Sequence, residues 1–532
     1  MRRFSGSGRG GPSTETSLRG SHEELLSGIT VDKSPWSSST GFLAASTAFS
    51  VSHHSLLLLP VAVIRHGGAA FLLLYSLLVV VLGVPLLLTE MFLGQYSSLS
   101  CTHLYYNLCP LLSGLGIAIY ATVILRTVLN VSLVVWVSRA LYDVFSLLRP
   151  ASPGLERVSE LTQERPSVEK MFALESTELI TLAVVVVLLL LLSLGGVRGI
   201  GHVASLSVAA SVLVLVTLVT RCCLAEGGWA GVTSLLAPDW SVLTRPHVWA
   251  LAVTQLVVST NLGTGVLSTF ASNNSYSHNI LRDVLLVTAA HLLWSTVATL
   301  LVSSLLGLTG VSPDTESLQS VLDCLVTAMA AMANLSQGWL WLGLLFILFI
   351  IVTLSNTVGY IALIVSIVPT CRRAISTPIS LSVIFFLSLV LINKTGPAIF
   401  LVVSSGLTSW PPLLFCLLTC LLLTWAHGIR YLESDLTTIT TILTPHIIIC
   451  HLNTSLYTLT PLALAACLAW LLWSMAESSS SLVLLTTSLL PLLPIVLGAV
   501  VMTIRAARHY PRTVVSIVTQ MSNMMHLHRL EF

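Results

Sequence analysis

Charge is what this 532-residue chain has least of. Asp, Glu, Lys and Arg make up 9% of it against 55% hydrophobic residues, and mean hydropathy is +0.92. A soluble domain carries about a quarter charged residues, so no soluble fold hides this much apolar side chain. The net charge is only +2, without the basic excess that phosphate backbones demand, and no nucleic-acid partner is expected. The ten cysteines are scattered, with no CxxC pair and no Cys/His metal spacing. A cysteine in an apolar run is usually a small hydrophobe. No nucleophile–base arrangement or phosphate loop stands out, so an enzyme is not indicated. No signal-peptide apolar region precedes Gly41. Residues 1–40 are polar and rich in Gly and Ser, and read as a disordered cytoplasmic N-terminus. The first apolar span is then expected to act as its own insertion signal.

What is present is a series of apolar runs, each long enough to cross a hydrocarbon core of about 30 Å as a helix. Twelve spans are predicted, at 41–64, 69–97, 115–146, 178–195, 202–224, 247–273, 282–309, 339–368, 377–392, 398–427, 456–474 and 482–504. The fold class is therefore an all-α polytopic membrane protein, with the lipid bilayer as its surroundings. Arg2, Arg3, Arg9, Arg19 and Lys33 precede the first span, and Arg505, Arg508, Arg512 and Arg529 follow the last. Arg372 and Arg373 fall on the same side. Positive residues favour the cytoplasm, which puts both termini there. The loop 149–177 is placed outside, its basic residues balanced by Glu156, Glu160, Glu164, Glu169 and Glu175. The sequons at Asn334 and Asn393 fall in outside loops, where glycan could be added; those at Asn273 and Asn453 fall inside.

Two spans are interrupted. The first carries Ser50-Val51-Ser52-His53-His54-Ser55 at its middle. The sixth carries Thr254-Gln255, then Ser259-Thr260-Asn261-Leu262-Gly263-Thr264-Gly265. Lipid-exposed backbone cannot stop being helical, so such breaks line a cavity or are buried in protein. Glycine unwinds at little steric cost. Breaks five spans apart point to two five-helix repeats of inverted topology, 41–224 and 247–428, with the site between them. Two further helices would occupy 456–504 and a cytoplasmic tail 505–532. The competing reading is a pair of continuous helices using small residues at a helix contact.

At these residues the chain resembles the neurotransmitter:sodium symporter family. The likeness lies in Trp36, His66-Gly67-Gly68-Ala69-Ala70-Phe71, Gly83-Val84-Pro85 through Gly94-Gln95-Tyr96, and Pro238-Asp239-Trp240. It continues in Val248-Trp249, Thr254-Gln255, Leu262-Gly263, Gly265-Val266-Leu267, Phe270-Ala271-Ser272 and Arg282 to Val287, and weakly in Trp425 to Gly428 and Asp435. It covers about 36 to 500. It implies sodium-driven uptake of amino acids or amino-acid-like organic solutes, often with chloride, by alternating access in the plasma membrane.

The resemblance also implies sites. Sodium is a hard cation that takes oxygen ligands. One family site falls on the carbonyls of Ala48, Val51 and Thr353 with the side chains of Asn356 and Thr357. Helix-to-helix adhesion through Ser355, Asn356 and Thr357 is the alternative. The other falls on the Ser50 carbonyl, Ser55, Ser259 and His291. It looks damaged, because imidazole nitrogen is a poor sodium ligand. The chloride site falls on Gln255, Ser259 and Ser295, with the usual tyrosine replaced by Leu88. The substrate region falls on Ser52, His54, Arg126, Asn130, Val258, Asn261 and Thr264; a one-residue shift in the third span would put Leu129 in place of Asn130. The first break has lost the family's glycines, which should make its unwound backbone harder to form. Ser52 stands where monoamine carriers have an acid, so a monoamine is not expected. The outer gate pair is replaced by Leu58 and Ser405, and the inner one keeps Lys33 opposite Cys371.

Arg126 is the sharpest pointer, since intramembrane charge is costly and usually functional. It reads either as a substrate contact or as a structural partner of Glu90. With His53, His54 and His291 it would suit an anionic or polar solute. Two accounts of the whole chain follow: a secondary transporter with altered ion sites, or a transport-inactive relative serving as a membrane partner or trafficking protein. A channel would need a filter motif, and none is seen.

Overall fold

The computed structural model describes residues 36–147, 176–275, 278–310, 321–333, 335–367, 373–393, 395–424, 452, 454–477 and 493–509. All regular structure there is helical. The elements are α1 (Ser39–Ser50), α2 (Leu59–Arg65), α3 (Ala69–Leu78), α4 (Val84–Ser97), α5 (Cys101–Leu108), α6 (Ser113–Leu147), α7 (Ser176–Leu194), α8 (Gly196–Cys223) and α9 (Gly228–Leu235). The second half supplies α10 (Pro246–Ser259), α11 (Val266–Ala271), α12 (Ile280–Thr309), α13 (Val321–Ala333), α14 (Gly338–Val365), α15 (Arg373–Ser388), α16 (Gly396–Thr408), α17 (Pro411–Leu421), α18 (Thr460–Glu477) and α19 (Leu493–His509).

Eight of the described helical segments are long and apolar enough to cross a membrane, and a bent pair, Ser39–Ser50 with His54–Arg65, makes a ninth. The shorter apolar helices Pro246–Ser259, Arg373–Ser388 and Leu493–Ile504 fall on the remaining predicted spans. The protein is thus an all-α polytopic membrane protein. Lys33, Cys371, Arg372, Asn334, Trp425 to Gly428, Asp435, residues 482–492 and most of both predicted tails lie outside the described residues.

Side-chain distribution fits a bilayer. Leu191, Leu206, Leu213, Phe386 and Trp473 point outward, while the interior holds Ser46, Ser52, His53, His54, Asn130, Asn261 and Asn356. Lipid is as apolar as leucine, so helix packing here draws on small and polar residues. α6 and α14 pack along each other, α8 packs against α1, α12 and α14, and α4 packs against α11 and α12. α4 and α11 meet at Gly94, where an added Cβ would lie 2.0 Å from the Ser268 carbonyl oxygen. The Gly94-Gln95-Tyr96 motif therefore permits backbone contact that no other residue allows.

Both predicted breaks are present. The first bends its span by 57°. The second runs from Thr260 to Gly265, with left-handed backbone at Asn261 (φ 56°), Gly263 and Gly265 (both φ 73°). Glycine takes that region freely and asparagine is the side chain that tolerates it best.

Candidate functional site

The first break forms without glycine, contrary to expectation, and serine chemistry explains how. Ser52 and Ser55 bond reciprocally: the Ser52 backbone N–H donates to Ser55 Oγ at 2.9 Å, and the Ser55 N–H to Ser52 Oγ at 3.3 Å. Two orphan donors at a helix start are satisfied this way, as in a capping box. Ser55 Oγ also donates to the Ser52 carbonyl at 2.7 Å, so its hydroxyl is engaged locally. Ser52 Oγ donates to the Ser259 carbonyl, 3.0 Å away at the lip of the second break.

The second break is tied down from two sides. Thr264 Oγ1 donates to the Asn261 carbonyl at 2.8 Å. Glu90 Oε2 accepts from the Gly263 N–H at 3.0 Å, while its Oε1 is buried without a partner. An acid from α4 thus caps the unwound backbone that starts α11. Two small clefts flank this break, the first lined by Glu90, Gly263 and Gly265, the second by Ser50, Thr260 and His291. Irregular backbone next to a cavity is what the interrupted spans predicted.

Glu90 is therefore not the partner of Arg126. Among the described residues the ion pairs are Arg139–Asp143 and His278–Asp283. Arg126 is buried on α6 and donates through Nη2 to the Leu407 carbonyl at 3.1 Å. The helical partner of that carbonyl would be the N–H of residue 411, which is proline and has none. The guanidinium supplies the missing donor where α16 ends before Pro411-Pro412. Its Nε stays without a protein partner, as do Nδ1 of His53 and Nδ1 of His54. The two imidazoles pack against each other, tilted by 37°, with centroids 4.2 Å apart. His291 does not join them.

His291 lies instead at the predicted damaged ion site. Its Nδ1 sits 3.0 Å from the Ser50 carbonyl. A carbonyl only accepts, so Nδ1 is the donor; in the neutral ring Nε2 then accepts from the Tyr75 hydroxyl at 2.8 Å. Tyr75 in turn lies 2.7 Å from Ser259 Oγ, and Ser295 Oγ lies 3.4 Å from His291 Nε2. A tyrosine hydroxyl therefore stands beside Ser259, from Tyr75 on α3, while Leu88 is plain core. Gln255 sits one turn before Ser259 on α10, with its Oε1 buried and unpartnered.

The other ion site is assembled but turned inside out. Thr357 Oγ1 donates to the Thr353 carbonyl at 2.7 Å, and Asn130 Nδ2 reaches Thr357 Oγ1 at 3.4 Å. Asn356 presents nitrogen, not oxygen, to the Val51 carbonyl: its Nδ2 donates there at 2.6 Å. Ala48, Ser50 and Val51 sit buried at the end of α1, and Val258 is buried on α10. The site residues named from the sequence are therefore brought to the two breaks and the α6 and α14 faces beside them. Tyr75, Tyr360 and the capping role of Glu90 were missed; a hydroxyl or acid inside an otherwise apolar run was the available signal. Leu58 and Ser405 are half-buried, with Ser405 Oγ turned to its own helix at Val402. Trp36 donates through Nε1 to the Phe270 carbonyl at 3.0 Å, tying the start of the first span to α11. Asn393 is buried and its Oδ1 accepts from the backbone N–H and the hydroxyl of Thr395.

The Sodium:neurotransmitter symporter family matches residues 33–154 and 154–503. The chain belongs to that family. It is 25% identical over 356 residues to a sodium-dependent serotonin transporter of Drosophila melanogaster, covering 61% of this chain and 57% of that protein. It is 27% identical over 322 residues to the sodium-dependent nutrient amino acid transporter 1 of Drosophila virilis, covering 52% and 50%. It is 23% identical over 456 residues to the sodium- and chloride-dependent creatine transporter 1 of Oryctolagus cuniculus, covering 75% and 71%. The matches with the two Drosophila transporters thus span little more than half of those proteins. Members of this family are symporters, not enzymes.

Proposed function

We propose that this symporter-family protein is a sodium-coupled secondary transporter of an amino acid or amino-acid-like organic solute, working by alternating access around the two breaks. Two inverted repeats, 41–224 and 247–428, would rock about that centre, with both termini cytoplasmic and the plasma membrane as its location. The observation that carries the reading is the set of unpartnered buried nitrogens beside the breaks: Arg126 Nε with Nδ1 of His53 and Nδ1 of His54, which donate in the tautomer that protonates Nδ1. A solute carboxylate would satisfy them, and guanidinium binds carboxylate well. Asn130, Ser52, Asn261, Thr264 and Val258 would shape the rest of the pocket. Sodium would use the carbonyls of Ala48, Val51 and Thr353 with the Thr357 hydroxyl and, once its amide has turned over, the oxygen of Asn356. Chloride would use Tyr75, Gln255, Ser259 and Ser295.

One observation favours the second account, a transport-inactive membrane partner. The Ser50 and Val51 carbonyls, which the family offers to ions, both accept hydrogen bonds from the chain's own side chains, His291 and Asn356. Screening labelled amino acids for uptake by cells expressing the protein separates the two. The transporter reading expects at least one solute whose uptake is lost in Arg126→Leu at equal surface expression. Correct surface delivery with no uptake of any solute supports the inactive partner.

A further inference from the structure

We propose that the Asn356 side-chain amide is a built-in stand-in for the cation at the Val51 carbonyl, locked in that orientation by Asn261 and Tyr360, so that sodium has to compete with it. The inference rests on the ion site proposed above but not on transport itself.

The orientation follows from the acceptors around it. Asn356 Nδ2 donates to the Val51 carbonyl at 2.6 Å and to the Val352 carbonyl at 2.9 Å. Neither carbonyl could be faced by an amide oxygen. Asn356 Oδ1 accepts from Asn261 Nδ2 at 2.5 Å, and that nitrogen also donates to the Phe49 carbonyl at 2.9 Å. Asn261 Oδ1 accepts from the Tyr360 hydroxyl at 3.2 Å. The nitrogen end of each amide is assigned by backbone carbonyls, which can only accept, and all three side chains are at least 97% buried.

The amide hydrogens are the positive end of the group. They satisfy the carbonyl freed by the first break, as a cation would. For sodium to take an oxygen from Asn356, the amide must turn over, losing its bonds to Val51 and Val352. Asn261 must then reverse as well, and Tyr360 must change from donor to acceptor. The lock explains why an asparagine here need not act as a ready sodium ligand although it carries the right atom.

The test is a sodium titration of the purified full-length protein in detergent, with choline chloride holding ionic strength constant and the thermal unfolding midpoint as readout. Asn356→Asp removes both N–H donors and adds an anionic oxygen. Asn356→Ser removes the donors, keeps an oxygen, and serves if the buried carboxylate impairs folding. Losing two net hydrogen bonds that oppose the ion should lower the half-saturating sodium concentration about tenfold. A wild type that ignores sodium beside a variant that responds upholds the proposal while removing sodium coupling from the transport reading. Half-saturation in both variants equal to or above that of the wild type, or no response from any of the three proteins, overturns it.

Discussion

Ser52 Oγ donates to the backbone carbonyl of Ser259 across 3.0 Å, joining the break in the first span to the break in the sixth. The same hydroxyl caps the Ser55 N–H. One serine therefore both starts the second half of its own span and fixes that span against its counterpart. Ser52→Ala removes both bonds, leaving a buried carbonyl and a buried N–H short of partners. The expected cost is about 1–3 kcal/mol, read as a lower thermal unfolding midpoint in detergent. An unchanged midpoint would mean that the breaks are held by packing alone.

Gly94 offers a sharper structural test. A Cβ there would meet the Ser268 oxygen at 2.0 Å, and Ser268 belongs to the backbone of α11. Gly94→Ala should push α4 from α11 and prevent delivery to the cell surface. Normal surface expression would contradict the contact between these helices.

Tyr75 tests the polar cluster beside His291. Its hydroxyl contacts both His291 Nε2 and Ser259 Oγ. Tyr75→Phe keeps the ring but strands two buried groups, at an expected cost of about 1–3 kcal/mol. If chloride uses this cluster, the variant should also lose any effect of replacing chloride with gluconate on the unfolding midpoint. Retention of a wild-type chloride effect would remove Tyr75 from the anion site.

Much of this was legible in the sequence. Polar residues at the centre of two apolar runs marked both breaks, because hydrocarbon tolerates no unsatisfied backbone. Gly94, Asn261 and the Asn356-Thr357 pair could be singled out for the same reason. What could not be read was orientation. Asparagine carries a donor and an acceptor on one carbon, and only the carbonyls of Val51 and Val352 decide which faces the ion position. The loss of glycine at the first break looked damaging because a serine pair three residues apart was not recognised as a cap. Glu90 reads from the sequence as a counter-ion for Arg126, yet its Oε2 accepts from the Gly263 N–H of the second break. Tyr75 was overlooked in favour of position 88, since spacing along a helix does not say which of two apolar faces turns toward a neighbour.

Arg126 has a structural duty as well, because its Nη2 replaces the donor that Pro411 lacks. Lysine lacks the planar fork of arginine. Arg126→Lys should keep the protein at the surface, through a single donor to Leu407, while weakening solute affinity. Wild-type affinity in Arg126→Lys would assign the residue to structure alone.

The central claim is that a sodium ion held by Asn356 and Thr357 drives solute entry. Uptake into proteoliposomes under an inward sodium gradient, with the solute identified by screening, measures it directly. The wild type should concentrate the solute only while the gradient lasts, and Asn356→Ala combined with Thr357→Ala should abolish that sodium dependence. Uptake by the double variant with an unchanged sodium response would contradict the account.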